Sequence, residues 1–375
     1  MVSGSRARTY FALSLGSTHR KSPSGSLGPP LSHVQGVAGG PLGCGRDLTM
    51  GRSTTAWLPG TARYVGQLLL VLVGATFFVS MLLRLLPVGL EELYVNAIDE
   101  AGRQAQIREL GLDKGPISFY LSWFVDILRG DFGWYVSAGF KSEPVSAYLW
   151  PALRVSLLLI LYVQVVALAV AVPLGVYTAF RAGTKKDKVI SYGLFTAASI
   201  PNFVFGLVLA LVVGVWLGWL PPLDYVAPGD GLVDHFRHVA LPVLSLAIPL
   251  IATYTRLLRV DVIAALREDF VTMAVSKGLS TRRILWTHVL RPSSATLLTS
   301  AALNMGALIG GTLVIETIFT IPGMGSELGR AIFSRQYFAV QSYIAVIAIG
   351  YVFFNAIVDV AIGFVDPRAR DRRAR

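Results

Sequence analysis

Two acidic side chains lie within long apolar runs of this 375-residue sequence. Glu316 is in the string VIETIF, and Asp359 follows Asn355 by four positions, on the same face of a helix. An ionisable group at the centre of a membrane helix costs about 2.5–3.5 kcal/mol on insertion scales, so it marks a polar cavity or a buried hydrogen bond. Two readings stay open for these three residues: they line or gate a central path, or they make hydrogen bonds between helices.

Candidates for catalysis and metal binding are sparse. An intramembrane hydrolase would need a serine–histidine pair, a histidine–aspartate metal site or a Gly-x-Ser-x-Gly nucleophile at membrane depth. All five histidines fall in the N-terminal tail or in predicted loops: His19, His33, His235, His238 and His288. Cys44 is the only cysteine, which excludes a disulfide framework or a thiolate metal cluster. We therefore expect no catalytic residue and no metal site, and the hydrolase is the disfavoured alternative.

A polar, basic segment, DFVTMAVSKGLSTRRILWTHVLRP, begins at Asp269 between two of the apolar runs. Asp269 is suited to cap a short helix, Gly278 to end it in a left-handed conformation, and Ser280 to begin a second helix that includes Arg283. The side chains that recur at helical spacing on one face of the first helix are those of Phe270, Met273, Ala274 and Lys277. Because Ala274 is small, it leaves room for another surface to approach. The residues alone leave two interpretations open, a docking site for another protein or an amphipathic connector on lipid headgroups.

The elements that position these residues are membrane-length helices. The sequence is 54% hydrophobic and 15% charged, with a mean hydropathy of +0.60, which is more apolar than a soluble domain of this length. The apolar runs are continuous and about 20 residues or longer, unlike the alternating strands of a membrane barrel. The fold class is therefore all-α and polytopic, with six transmembrane helices. We place them at Tyr64–Leu86, Pro151–Phe180, Ile190–Leu220, Leu241–Leu258, Leu297–Phe319 and Gln341–Val365.

Four regions follow from this placement. Residues 1–62 are rich in glycine, serine, proline and arginine, which predicts a disordered extension, and Met50 is an alternative start. Residues 63–149 hold the first span and an acid-rich, mostly helical extracytoplasmic segment. Residues 150–366 form a five-helix core with a loop at 259–296, and residues 367–375 form a basic tail.

The net charge of +11 is distributed unevenly between the two sides of these spans. Basic residues concentrate after the second span, in the loop 259–296 and in the tail. By the positive-inside rule both termini and the loop are cytoplasmic, so the charge reports membrane orientation rather than nucleic-acid binding.

Small and helix-breaking residues mark further features of the spans. Gly306 and Gly310 form a small-xxx-small face that suits close helix packing, either within this chain or against a second subunit. Pro173 and Pro201 are bending points or span ends.

The segment from Asp269 resembles the cytoplasmic signature ("EAA") loop of permease subunits in binding-protein-dependent ABC importers, in the dipeptide, oligopeptide and nickel branch. Similar strings occur in order along the chain: FFVSMLLRLLP, LGLDKGPISFYLSWFVDILRGDFG, VPLGVYTAFRAG, SIPNFVFGLVLAL, VIETIFTIPGMG and VDVAIGFVDPRAR. There are departures. Thr296 stands where the family has a proline, with Pro292 earlier, which leaves open the angle at which the chain enters the fifth span. Phe270 and Met273 are also bulkier or less polar than the usual residues.

The resemblance implies an inner-membrane permease subunit that alternates access between the two sides of the membrane. It implies that Asp269, Phe270, Met273, Ala274, Lys277, Gly278, Ser280 and Arg283 couple this chain to the ATPase. The implied partners are a homologous second permease subunit in a heterodimer, two ATP-binding subunits and an extracytoplasmic solute-binding protein. ATP and Mg²⁺ would be used by those partners, and the sequence itself holds no G-x-x-x-x-G-K-[ST] phosphate loop. Di- and oligopeptides are the expected solutes, with nickel chelates or glutathione-like peptides as alternatives.

Overall fold

The computed structural model describes residues 58–84, 99–137 and 140–365. The predicted extension 1–62, apart from residues 58–62, and the tail 367–375 lie outside the described residues. The helices are α1 (Leu58–Arg84), α2 (Glu100–Glu109), α3 (Pro116–Leu128), α4 (Ser146–Phe180), α5 (Lys185–Ser199), α6 (Asn202–Leu209), α7 (Leu232–Ala265), α8 (Asp269–Ser276), α9 (Thr281–Arg283), α10 (Leu290–Ile318), α11 (Met324–Phe333) and α12 (Tyr337–Val365). A hairpin of β1 (Trp134–Ser137) and β2 (Phe140–Pro144) precedes α4.

Four helices in the described residues are long and apolar enough to cross a membrane: Ser146–Phe180, Leu232–Ala265, Thr281–Ile318 and Tyr337–Ala356. A fifth span is possible if α5 and the helix that follows it count as one. The remaining predicted span, Tyr64–Leu86, overlaps α1, which contains the shorter apolar stretch Leu69–Leu82. This all-α architecture matches the predicted fold class and is consistent with six spans.

The third predicted span, Ile190–Leu220, is not one straight helix. It is divided between α5 and a second helix, Asn202–Trp216, that turns away by 99°. The break falls at Ile200 and Pro201, where Ile200 has an extended backbone. A residue before proline is disfavoured in the helical region, which explains the position of the break. Pro201 is thus a bending point, whereas Pro173 lies inside the continuous helix α4.

We call the end of the helical bundle formed by residues 181–188 and 256–291 the basic end. The end formed by residues 99–137, 140–144 and 319–336 is the capped end. The hairpin at the capped end was not predicted from the sequence. The side chain of Gln336 binds its first strand at both polar groups of Val136, with the Val136 amide donating at 2.9 Å and the Gln336 amide donating to the Val136 carbonyl at 2.9 Å. A residue 200 positions away therefore binds this strand, and local sequence periodicity could not have predicted the contact.

The buried core at the capped end joins the start of α4 to α11 and α12. Its apolar residues include Leu149, Met324, Leu328, Val340 and Tyr343. This packing brings the turn before α11 against α4, which positions the carboxylate described below.

Candidate functional site

The helix α8 at the basic end is short and its start differs from the prediction. Glu268, with an extended backbone, is the N-cap residue, and Asp269 is the first residue of the helix. Asp269 thus acts through its charge in the first turn, which favours the positive end of the helix dipole, instead of through a capping hydrogen bond.

The end of α8 follows the prediction closely. Gly278 has a φ of +72°, in the left-handed region, and the Leu279 amide donates to the Ala274 carbonyl at 3.2 Å, a bond between the first and sixth residues of a Schellman turn. Ser280 then caps α9, because its hydroxyl accepts the Arg283 amide at 3.4 Å. Both ends of the loop between the helices are therefore fixed by local chemistry.

The two faces of α8 have different surroundings. Val271 and Ala274 are buried within this chain, with Ala274 6% exposed, and Phe270 and Met273 point outward, with Met273 60% exposed. The small side chain of Ala274 therefore admits a surface of this same chain. The exposed face of α8 includes Phe270, Met273 and Lys277.

The helix that follows enters the fifth span without interruption. Residues 281–318 are continuous, and a π-helical segment, Ile284–Val289, ends three residues before Pro292. Proline has no amide hydrogen to donate to the carbonyl four residues earlier, and a π-helical turn accommodates such a lost bond. Thr296 lies within the regular part of α10, so its replacement of a proline leaves the helix unbroken.

At the capped end, Glu316 is fully buried and joins three elements. Its Oε1 accepts the Ser156 hydroxyl of α4 at 2.6 Å, and its Oε2 accepts the Gly325 amide at the start of α11 at 2.6 Å. The Ser156 oxygen also accepts the Met324 amide at 2.8 Å. We call Ser156, Glu316 and the Met324 and Gly325 amides the carboxylate clamp. A negative charge at the first turn of a helix is stabilised by its free amides.

Two glycines make this clamp sterically possible. A Cβ at Gly323 would lie 2.5 Å from Glu316 Oε2, and a Cβ at Gly325 would lie 2.3 Å from the Leu313 Cα. The string IPGMG therefore has a physical role, because it lets the backbone approach the carboxylate closely. The clamp matches the interhelical reading of Glu316, and a role in the path stays a prediction.

The other residues predicted to line the path or to pack helices together have different surroundings. A Cβ at Gly306 would meet Asn355 Oδ1 at 3.1 Å, so Gly306 faces α12 of this chain. Gly310 has open space around its Cα, with nothing within 4 Å of a built Cβ. The side chain of Asp359 lies outside the described residues.

The sequence predicted a loop at His235, and this prediction is wrong. His235 lies in α7 and is fully buried, with Nδ1 2.7 Å from the Val226 carbonyl and Nε2 3.1 Å from the Tyr162 hydroxyl. Aromatic rings surround it, so it is a packed histidine with both nitrogens occupied. Among the residues that the structure describes, no cluster of His, Cys, Asp or Glu has the geometry to hold a metal ion.

Sequence reasoning missed two polar contacts between helices. Tyr254 is fully buried and its hydroxyl lies 3.3 Å from the amide of Gln164. Arg259 pairs with Asp187 at 2.7 Å. The available signal was a lone amide in the apolar run of α4 and an aspartate within a basic turn, but neither identifies its partner.

A bundle of apolar helices, four of them in the described residues long enough to cross a membrane, defines a multi-pass membrane protein. The chain belongs to the family described as "Binding-protein-dependent transport system inner membrane component", whose model matches residues 171–371. It is a permease component of an ABC transporter and not an enzyme. Such systems work with ATPase and solute-binding partners.

Relatives of known name span most of the chain. It is 33% identical over 301 residues to the oligopeptide transport system permease protein AppB of Bacillus subtilis (strain 168), covering 80% of this chain and 95% of that protein. It is 29% identical over 338 residues to the di/tripeptide transport system permease protein DppB of Pseudomonas aeruginosa (strain UCBPP-PA14), covering 83% and 98%. A chain from inward-facing structures of the MetNI methionine ABC transporter has a TM-score of 0.48 and 14% identity, covering 60% of this chain and all of that chain.

Proposed function

We propose that this chain is the permease subunit of an ATP-driven importer of di- and oligopeptides. The observation that carries the coupling role is the outward face of α8. Phe270 and Met273 are large apolar side chains exposed on a short helix whose two ends are fixed. Large apolar side chains exposed on a segment that also carries Lys277, Arg282 and Arg283 are suited to the surface of a partner protein.

The occupant of this surface is an ATP-binding subunit. The family works with ATPases, and this sequence contains no phosphate loop of its own. Two such subunits bind ATP and Mg²⁺, and their closure moves α8. Asp269, Gly278, Ser280 and Arg283 fix the shape of the segment, Phe270, Met273 and Lys277 make the contact, and Ala274 anchors the helix to this chain.

The rest of the assembly follows from membrane orientation. Both termini and the basic end are cytoplasmic by the positive-inside rule. The capped end is then extracytoplasmic and faces a solute-binding protein. The translocation path lies between this chain and a homologous second permease subunit, with Glu316, Asn355 and Asp359 as candidates near it. Gly310, which is open in this chain, is a candidate contact with that second subunit.

Peptides are proposed as the solute because relatives across most of the chain carry oligopeptide and di/tripeptide names. The test is ATP hydrolysis by the reconstituted assembly of this chain, the second permease and the ATPases in lipid. A binding protein loaded with a peptide should stimulate hydrolysis. Stimulation only by a binding protein loaded with a nickel chelate would support the importer assignment but contradict peptides as the solute. No ATPase binding at all would overturn the importer assignment.

A further inference from the structure

We call residues 269–283 the coupling segment. A shielded ion pair at the basic end joins the first turn of α5 to α7, the helix that leads into this segment. Nε and Nη2 of Arg259 donate to Oδ1 and Oδ2 of Asp187 at 2.9 and 2.7 Å. Asp187 lies in the first turn of α5, and Arg259 lies in the last two turns of α7. This two-bond geometry fixes the direction between the helices as well as their distance.

The carboxylate of Asp187 is also held from its own side. The Gly183 amide donates to it at 2.9 Å and the Ser191 hydroxyl at 3.3 Å. The Asp187 side chain is 4% exposed and that of Arg259 is 26% exposed. Arg256, one turn earlier on α7, is by contrast exposed. A shielded, two-bond pair is a structural joint, because loss of one partner leaves a buried charge.

The elements that follow Arg259 and Asp187 in the chain show which parts of the protein the ion pair connects. After Arg259, α7 continues to Ala265 and leads through Glu268 into α8. After Asp187, α5 continues to the 99° break before α6. The pair therefore connects the helix that carries the coupling segment with the first half of the broken span.

We propose that Asp187 and Arg259 are positioning residues that transmit movement of the coupling segment to α5. This inference rests on the proposed function, because it needs an ATPase that moves α8. Movement of α8 displaces the end of α7, and the ion pair carries α5 with it. The bend at Pro201 then passes the movement to the second half of the broken span, Asn202–Trp216.

The experiment uses two cysteine reporters in a Cys44→Ser background, in the full assembly in lipid nanodiscs. Met273→Cys, on the contact face of α8, reports ATPase docking by its protection from a maleimide. Phe195→Cys, on α5 and 66% exposed, carries a nitroxide spin label attached before reconstitution and reports movement of α5 as a change in label mobility between nucleotide-free and ATP–vanadate states. Neither reporter needs the transported solute to be known.

With Asp187→Asn we expect Met273→Cys to remain protected at least tenfold, while the nucleotide response of Phe195→Cys falls at least fivefold. Arg256→Gln, the matched loss of a charge on α7, should keep both the protection of Met273→Cys and the nucleotide response of Phe195→Cys. A full response of Phe195→Cys in Asp187→Asn overturns the inference, as does an absent response in the unmutated chain. If Asp187→Asn fails to assemble, Arg259→Lys keeps the charge without the two-bond fork. A reduced response in it supports the joint, and a full response overturns it. Lack of protection of Met273→Cys in the unmutated chain overturns the proposed function itself.

Discussion

Ser156 Oγ lies 2.6 Å from Glu316 Oε1, across 160 residues of sequence, and links a carboxylate on α10 to the backbone at the start of α11. The hydroxyl donates to the carboxylate and accepts the Met324 amide, so both of its hydrogen-bonding functions are used. The Gly325 amide completes the arrangement on the other carboxylate oxygen. A buried charge with such partners fixes the position of α11 over the bundle.

Ser156→Ala should lower the free energy of unfolding by about 1–3 kcal/mol, because it leaves the Met324 amide and one carboxylate oxygen without partners in a buried site. The measurement is equilibrium unfolding in mixed SDS micelles. Thr317→Ala is the matched control, since the Thr317 hydroxyl is exposed and bonds only to the Leu313 carbonyl of its own helix. Equal stability of the two variants would contradict the clamp.

Gly325→Ala should destabilise the fold more than most single substitutions, because a Cβ would lie 2.3 Å from the Leu313 Cα, which is backbone and cannot move aside. Gly310→Ala is the control, in a position with nothing within 4 Å, and removing a mid-helix glycine there should gain about 0.5–1 kcal/mol in the isolated chain. The free energies of unfolding of the two variants, measured under the same conditions, check the expected loss of stability in Gly325→Ala and the expected gain in Gly310→Ala. If Gly310→Ala destabilised the isolated chain, the added methyl group would be meeting other atoms, which would contradict the open space at this position.

The clamp shows where sequence reasoning stops. An acid within an apolar run indicates that a polar partner exists, because an unpaired charge there is too costly. The identity of the partner is set by which helices pack together, and Ser156 is an unremarkable residue within an apolar run. Glu316 was thus predictable as a special residue, whereas its hydrogen bonds were not.

The coupling segment shows the opposite case. Its helix ends depend on residues a few positions apart, so Gly278 and Ser280 were predictable from local chemistry. The start was misplaced by one residue, at Asp269 instead of Glu268, because aspartate is a preferred N-cap residue, whereas Glu268 holds this position without a side-chain capping hydrogen bond. The burial of Ala274 depends on how α8 packs against the rest of the chain, and no local pattern contains that information.

The burial of Ala274 decides which variant tests docking. Ala274→Asp would place a charge inside this chain, so a loss of ATPase binding would not distinguish docking from folding. Met273→Asp places the same charge on the exposed face and should reduce the ATPase that co-purifies at least tenfold, with unchanged thermal stability of the isolated chain. Thr272→Asp, on the polar side of α8, is the control that should retain the ATPase. Retention by Met273→Asp as well would place the contact elsewhere.

Substitutions at Gly278 test the shape of the coupling segment without changing the side chains on its exposed face. Nothing lies within 4 Å of a built Cβ there, so a substitution is strained only by its φ of +72°. Gly278→Val should cost about 1–2 kcal/mol locally, since an L-residue is disfavoured in this region and a β-branched one most of all. Gly278→Asn should cost less, because asparagine tolerates the conformation.

Hydrogen exchange of the α8 amides measures this cost directly, and about 1.4 kcal/mol corresponds to tenfold faster exchange from locally opened states. We expect that acceleration in the valine variant, confined to residues 271–279, together with weaker ATPase co-purification. The asparagine variant should resemble the unmutated chain in both measurements. Equal exchange in the valine and asparagine variants would mean that the turn does not depend on its left-handed residue, and the observed end of α8 would then need another explanation.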